Sequence, residues 1–130
     1  MKLEALALLL VLSTSCENAS KPQDPVWGKQ ACAHCAMLLS DPHFGAQLTT
    51  EGGDRFFFDD PGCMAAHVHD EPIHVRAMWV HEGSRWIDAK TAHFRTGAQS
   101  PMDYGFEPDA QGTADWAAVE RAAIAREKKM

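Results

Sequence analysis

The feature that most limits what this chain can fold into is a doubled pattern. The stretch EGGDRFFFDD…AAH, beginning at Glu51, and the stretch HEGSRWIDA…TAH, beginning at His81, follow one order: strand, turn, strand, helical segment. They start about 30 residues apart and describe two copies of one supersecondary unit, which buries its apolar face only against a neighbour. In the first copy, GAQLTT (45–50) and RFFFD (55–59) read as strands joined by the turn EGGD, a β-hairpin. Asp60 before Pro61 has the chemistry of a helix cap followed by the first helical position, so a helix is expected through PGCMAAHVH, ending before Pro72. In the second copy, IHVRAMWV (73–80) and RWIDA read as strands around the turn HEGS, with KTAHF as a helical turn. A further strand is expected over 35–39, and residues 97–112, rich in Gly, Pro and Asp, read as loop. Thr113 is the expected cap of a last helix, ADWAAVERAAIAREKK, with Trp116, Val119, Ala123 and Ile124 on one face. The fold class is therefore α+β: a small single domain of two ββα-like units with a C-terminal helix.

The start of the chain reads differently. Residues 5–12, ALALLLVL, form an apolar run with Lys2 before it and small polar residues after it, the pattern of a signal-peptide core too short to span a bilayer. It ends at LSTSC, where Cys16 reads as a lipoprotein attachment site. The expected organisation is a signal peptide over 1–15, a lipidated Cys16 with a polar, proline-bearing flexible tether over 16–26, and a folded domain over 27–130. Such a protein would lie on the periplasmic, extracytoplasmic side, held to a membrane by lipid and not by a transmembrane helix. Disulfides are permitted there. With 18 acidic and 12 basic residues and a formal charge of -6, the chain is a poor partner for nucleic acid.

With Cys16 assigned to lipid, the chemistry rests on Cys32, Cys35 and Cys63. The stretch ACAHCAMLL (31–39) is not a haem attachment site, because Ala36 stands where that site needs histidine. A thioredoxin-like dithiol needs its pair at a helix start inside a βαβ context, whereas a strand-like run follows here. A Cys32–Cys35 disulfide staple in a binding module without metal stays open. The metal reading uses more residues. On a strand Cys35 and Met37 share a face; on the helix Cys63 and His67, four apart, share another, with Met64 adjacent. Thiolate and thioether are soft donors that favour Cu(I). Cys32, Cys35, Cys63 and His67 would equally make a closed structural zinc site, although zinc has no need of the neighbouring methionines. Met37 and Met64 can also serve as core filler. His69 reads as a solvated helix residue, Asp60 as a cap and Asp59 as turn chemistry. There is no nucleophile–base constellation, phosphate loop or basic patch, so a binding protein is expected and not an enzyme.

Taken in order, CAHCAM, DPHFGAQL, FFFDDPGCM, WIDA…AHF and SPMDYGF resemble the NosL family, copper-binding lipoproteins encoded with nitrous-oxide reductase; the resemblance covers residues 30–106. It implies an extracytoplasmic Cu(I) metallochaperone for the maturation of nitrous-oxide reductase, with that enzyme or its copper-assembly proteins as partners. It also implies a fold of two related ββα-like units akin to part of alkylmercury lyase. By motif, Cys32, Cys35, Met37, Cys63, Met64 and Met102 occupy the family's sulfur positions. The chain departs from the family pattern at Ala36 and Asp103, where glycine is usual. A thiol-based enzyme related to the mercury lyase would need, besides a thiol pair, an acidic proton donor beside it.

Overall fold

Each hairpin is closed by a glycine with left-handed backbone, a conformation that costs glycine almost nothing. Gly53, at φ 93°, lies between β1 (Ala46–Thr50) and β2 (Arg55–Phe58), and Gly83, at φ 61°, lies between β3 (Val75–Glu82) and β4 (Arg85–Asp88). This computed structural model describes residues 18–130; the apolar run 5–12 and Cys16 lie outside the described residues. The two hairpins join through β1 and β3 into an antiparallel sheet of order β2-β1-β3-β4. In that register Leu48 is flanked by Phe56 and Met78, and Val80 faces Ile87. The doubled pattern is thus realised as two hairpins side by side.

Helix α1 (Pro61–Asp70) begins as its sequence dictates. Asp60 accepts the Gly62 N–H at 2.9 Å, Pro61 fills the first turn, and Glu71 caps the end. It packs on β1 and β2, and α2 (Trp116–Glu127) packs on α1. Leu48, Phe58, Met64, Val80, Phe94 and Val119 are fully buried between these layers. On α2, Trp116, Val119 and Ala123 are buried as expected, and Ile124 is half-buried. The cap is Asp115, whose carboxylate accepts the Ala118 N–H at 3.0 Å, and not Thr113. Ala114 is held extended by exchanging backbone bonds with Phe94 at 2.9 and 3.1 Å, so no helix can begin before it.

Four other expectations are corrected. KTAHF is not helical: Asp88 accepts the Lys90 N–H at 2.7 Å in an Asx turn. The chain then enters β5 (Phe94–Arg95), which pairs with β6 (Glu107–Pro108) inside the expected loop. Residues 35–39 are not a strand, because Ala36 takes left-handed backbone at φ 66° and turns the chain back. Residues 18–26 are not free of the domain. Every residue of β1 is buried: Ala46 and Leu48 face the core, while Gln47 and Thr49 lie on the opposite face beneath the N-terminal segment. Gln47 accepts the Gln23 N–H at 3.1 Å and donates to its carbonyl at 2.9 Å, Thr49 donates to the Ala19 carbonyl, and Arg55 donates to the carbonyls of Asn18 and Lys21. The segment is a strap across the sheet. Among the described residues no helix is long and apolar enough to cross a membrane.

Candidate metal centre

Two chain segments meet at the N-terminal end of α1. The first is a tight loop. The Cys32 N–H donates to the Met37 carbonyl at 2.7 Å, and the Ala36 N–H donates to the Cys32 carbonyl at 3.0 Å. The Ala33 N–H donates to the Phe57 carbonyl at 2.8 Å and ties the loop to β2. This reversal brings the half-exposed Cys35 back beside the buried Cys32. The second segment runs from β2 into α1, with Asp59 just before the cap and the buried Cys63 in the first helical turn. The sulfurs of Cys32, Cys35 and Cys63 and a carboxylate oxygen of Asp59 all lie within 4.8 Å of one another. All three thiols are free. The Cys35 S–H donates to Asp59 Oδ1 at 3.4 Å.

The three thiols are electrostatically unlike. The Cys63 S–H donates to Cys32, and the backbone N–H groups of Cys35, Asp59 and His34 also stabilise its thiolate; together they outweigh burial and bring its pKa down to about 6. Burial pushes the Cys35 thiol up to about 12, helped by the neighbouring Cys32 and Asp59 charges. Cys63 is raised well above the ordinary thiol range, first because its proton serves the Cys32 thiolate and then by burial. Cys32 is therefore the first of the three to ionise, and Cys35 and Cys63 keep their protons to higher pH. Two metal–thiolate bonds of about 2.3 Å span at most roughly 4.6 Å, so sulfurs held within 4.8 Å need little movement to share one ion. Three convergent sulfurs and one oxygen suit a soft or borderline cation.

The remaining sequence candidates stand elsewhere. Met37 points to solvent, 59% exposed, because the turn at Ala36 destroys the strand face it was to share with Cys35. Met64 is enclosed in the core. Met102 packs against that core from the loop before β6, and its N–H donates to the buried Asp60 at 3.0 Å. His67 does share the helix side of Cys63, but its ring packs among His34, Phe56 and Phe58, and burial lowers its pKa. The fourth group in the cluster is Asp59 instead. Its signal in the sequence was its position four residues before Cys63, ahead of a capped helix start. Measured against models of known protein families, curated proteins and solved structures, the chain matches none of them.

Proposed function

We propose that this chain is an extracytoplasmic carrier of Cu(I), lipid-anchored through Cys16, that hands its cargo to nitrous-oxide reductase or to that enzyme's copper-assembly proteins. The observation that carries the reading is the convergence of Cys32, Cys35 and Cys63, two buried sulfurs and one half-exposed, within 4.8 Å of one another. The resemblance to the NosL family supports it from a second direction. Among the described residues the non-glycine positions with left-handed backbone are Ala36, at φ 66°, and Asp103, at φ 60°. Those are the two positions where that family usually has glycine.

The chemistry suits transfer. Cys32 ionises most readily of the three, Cys63 is buried beside it, and Cys35 is the half-exposed sulfur, hydrogen-bonded to Asp59, which can take its proton as sulfur binds the cargo. An acceptor's thiolate or thioether can add beside Cys35 before a buried donor lets go, so the ion is never free. The test is anaerobic Cu(I) titration of the reduced domain in competition with Zn(II), with X-ray absorption counting sulfur neighbours. One tightly held Cu(I) with two or three sulfurs supports the carrier. Preferential retention of zinc would make this a structural site, with Asp59 and not His67 as the nearest fourth donor.

A second reading, a thiol-based enzyme, gains one observation: Asp59 lies beside the thiols, as such an enzyme requires. In that reaction the Cys35 sulfur would bond to a soft metal as its carbon–metal bond breaks, and the proton that Cys35 gives up to Asp59 would pass on to the leaving carbon. Release of benzene from phenylmercury at substoichiometric protein would favour it; its absence favours the carrier.

A further inference from the structure

A second group of ligating side chains lies near the first but shares no residue with it. His34, between the two loop cysteines, meets Asp70 and Glu127, with one ligating atom of each within 4.8 Å of the others. His34 Nε2 stands 4.0 Å from Glu127 Oε1. Asp70 is the last residue of α1 and Glu127 the last of α2, so two carboxylates meet where two helices both end. A helix C-terminus carries partial negative charge and stabilises cations, and carboxylates are the wrong sign there. Among the described residues no Lys or Arg forms an ion pair with either; the ion-pair partner of Glu127 is His34. Arg126, next along α2, is committed elsewhere, donating to the carbonyls of Met102 and Asp103. A second imidazole, His67, packs edge-on to His34 at 6.1 Å between ring centroids, three residues before Asp70 on the same helix.

We propose that His34, Asp70 and Glu127 form a binding site for a borderline divalent cation such as Zn(II) or Co(II), separate from the sulfur centre. One imidazole and two carboxylates are harder donors than the thiols and leave coordination positions open to water. A dication there offsets two carboxylates that, among the described residues, no Lys or Arg pairs with. It also joins three segments, the cysteine loop and the ends of both helices, that otherwise meet only through side chains. The assignment does not rest on the copper reading. A soft ion goes to the thiols and a harder one to this group, so the two sites sort cations by donor type.

Cobalt distinguishes the sites because thiolate-to-cobalt charge transfer reports sulfur ligation, whereas ligand-field absorption reports both. Reduced full-length protein is titrated with Co(II) alone, and both signals are followed. The expected result is ligand-field absorption that keeps rising by one equivalent after the sulfur signal has saturated. That second phase should weaken at least tenfold in Asp70→Asn and in Glu127→Gln, with the sulfur phase unchanged. Both substitutions lie at helix ends on side chains that are not buried, and Zn(II) titration of the wild type, with the His34 ring resonances followed beyond the equivalent taken by the sulfur centre, gives a reading that needs no variant. Saturation at one equivalent, a second phase indifferent to both substitutions, or His34 resonances unmoved beyond the first equivalent would each overturn the site.

Discussion

Gly62→Ala sets two known effects against each other. Alanine in place of glycine favours a helix by roughly 0.5–1 kcal/mol, and less in the first turn. Against it stands a close approach: a Cβ on Gly62 would lie 2.0 Å from Tyr104 Cγ and 2.3 and 2.4 Å from the two Cδ atoms. The ring cannot simply lift. On its other side the Arg126 guanidinium sits 3.6 Å from the ring centroid, and the same guanidinium holds the carbonyls of Met102 and Asp103 at 2.6 and 2.9 Å. Relief therefore means moving the loop that carries Met102, whose N–H satisfies the buried Asp60. Overpacking alone costs about 1–3 kcal/mol, the cation–π contact about 0.5–2, and a hydrogen bond to a charged group about 1.5–3. Because these losses overlap, the expected net destabilisation is about 2–4 kcal/mol, and packing wins. Urea unfolding should show a lower midpoint with an unchanged slope. In a Tyr104→Ala background the same Gly62→Ala change should become neutral or slightly stabilising, since the clash is gone and the helical preference remains. Gly62→Ala as stable as wild type would refute the close packing of Tyr104 on α1.

Ultraviolet thiolate absorbance should show one of the three domain cysteines ionising with a midpoint near pH 6 and the others only above the ordinary value of 9.0. In Cys63→Ala the first midpoint should move back towards 9.0, because the largest cause of the depression is removed; three thiols titrating together would contradict the cluster. The folded pKa of Cys32 lies below its unfolded value, so its contribution to stability is complete above pH 9.0 and is lost as pH falls through about 6. Urea midpoints taken between those limits should therefore rise with pH, and a flat profile would count against the shift. Ala36→Gly relieves left-handed backbone, worth about 1–2 kcal/mol, against a glycine entropy cost of about 0.5–1. Thermal unfolding should show a net gain of up to about 1.5 kcal/mol, with less for Asp103→Gly, and a loss at Ala36 would contradict its φ of 66°. Gln47→Leu removes the partner of both backbone groups of Gln23, an exposed residue whose freed groups can turn to water, so the cost is nearer the net worth of a hydrogen bond, about 0.5–1.5 kcal/mol each; faster hydrogen exchange at the Gln23 amide should report the opened strap.

The hairpins and α1 were legible because their signals are local: turn glycines at 53 and 83, and Asp60–Pro61 as a helix start. The cysteine loop was not, because left-handed backbone at Ala36 leaves no mark in an apolar run, and reading that run as a strand put Met37 on the wrong side. The sulfur donors could be named from their chemistry alone. Their fourth neighbour could not, since the direction of Asp59 is set by how β2 hands the chain to α1. The meeting of His34, Asp70 and Glu127 was out of reach for a plainer reason: it depends on where two helices end in space. The strap was misread because its polar composition resembles a linker, whereas its backbone groups pair with Gln47, Thr49 and Arg55.

The strap also fixes a leash length. With lipid on Cys16 as proposed, the first residue bonded to the sheet follows only two positions later, at Asn18, whose carbonyl accepts from Arg55 at 2.6 Å. Two residues of chain reach at most roughly 7 Å. If the proposed anchor holds, a domain moored so closely would not swing out to collect cargo from the bulk of its compartment. Exchange would then be an encounter at the membrane surface, and its rate would depend on which face each partner turns to the other. Lengthening that mooring with a flexible insert between Cys16 and Asn18 would change how far the carrier reaches without touching a single ligand.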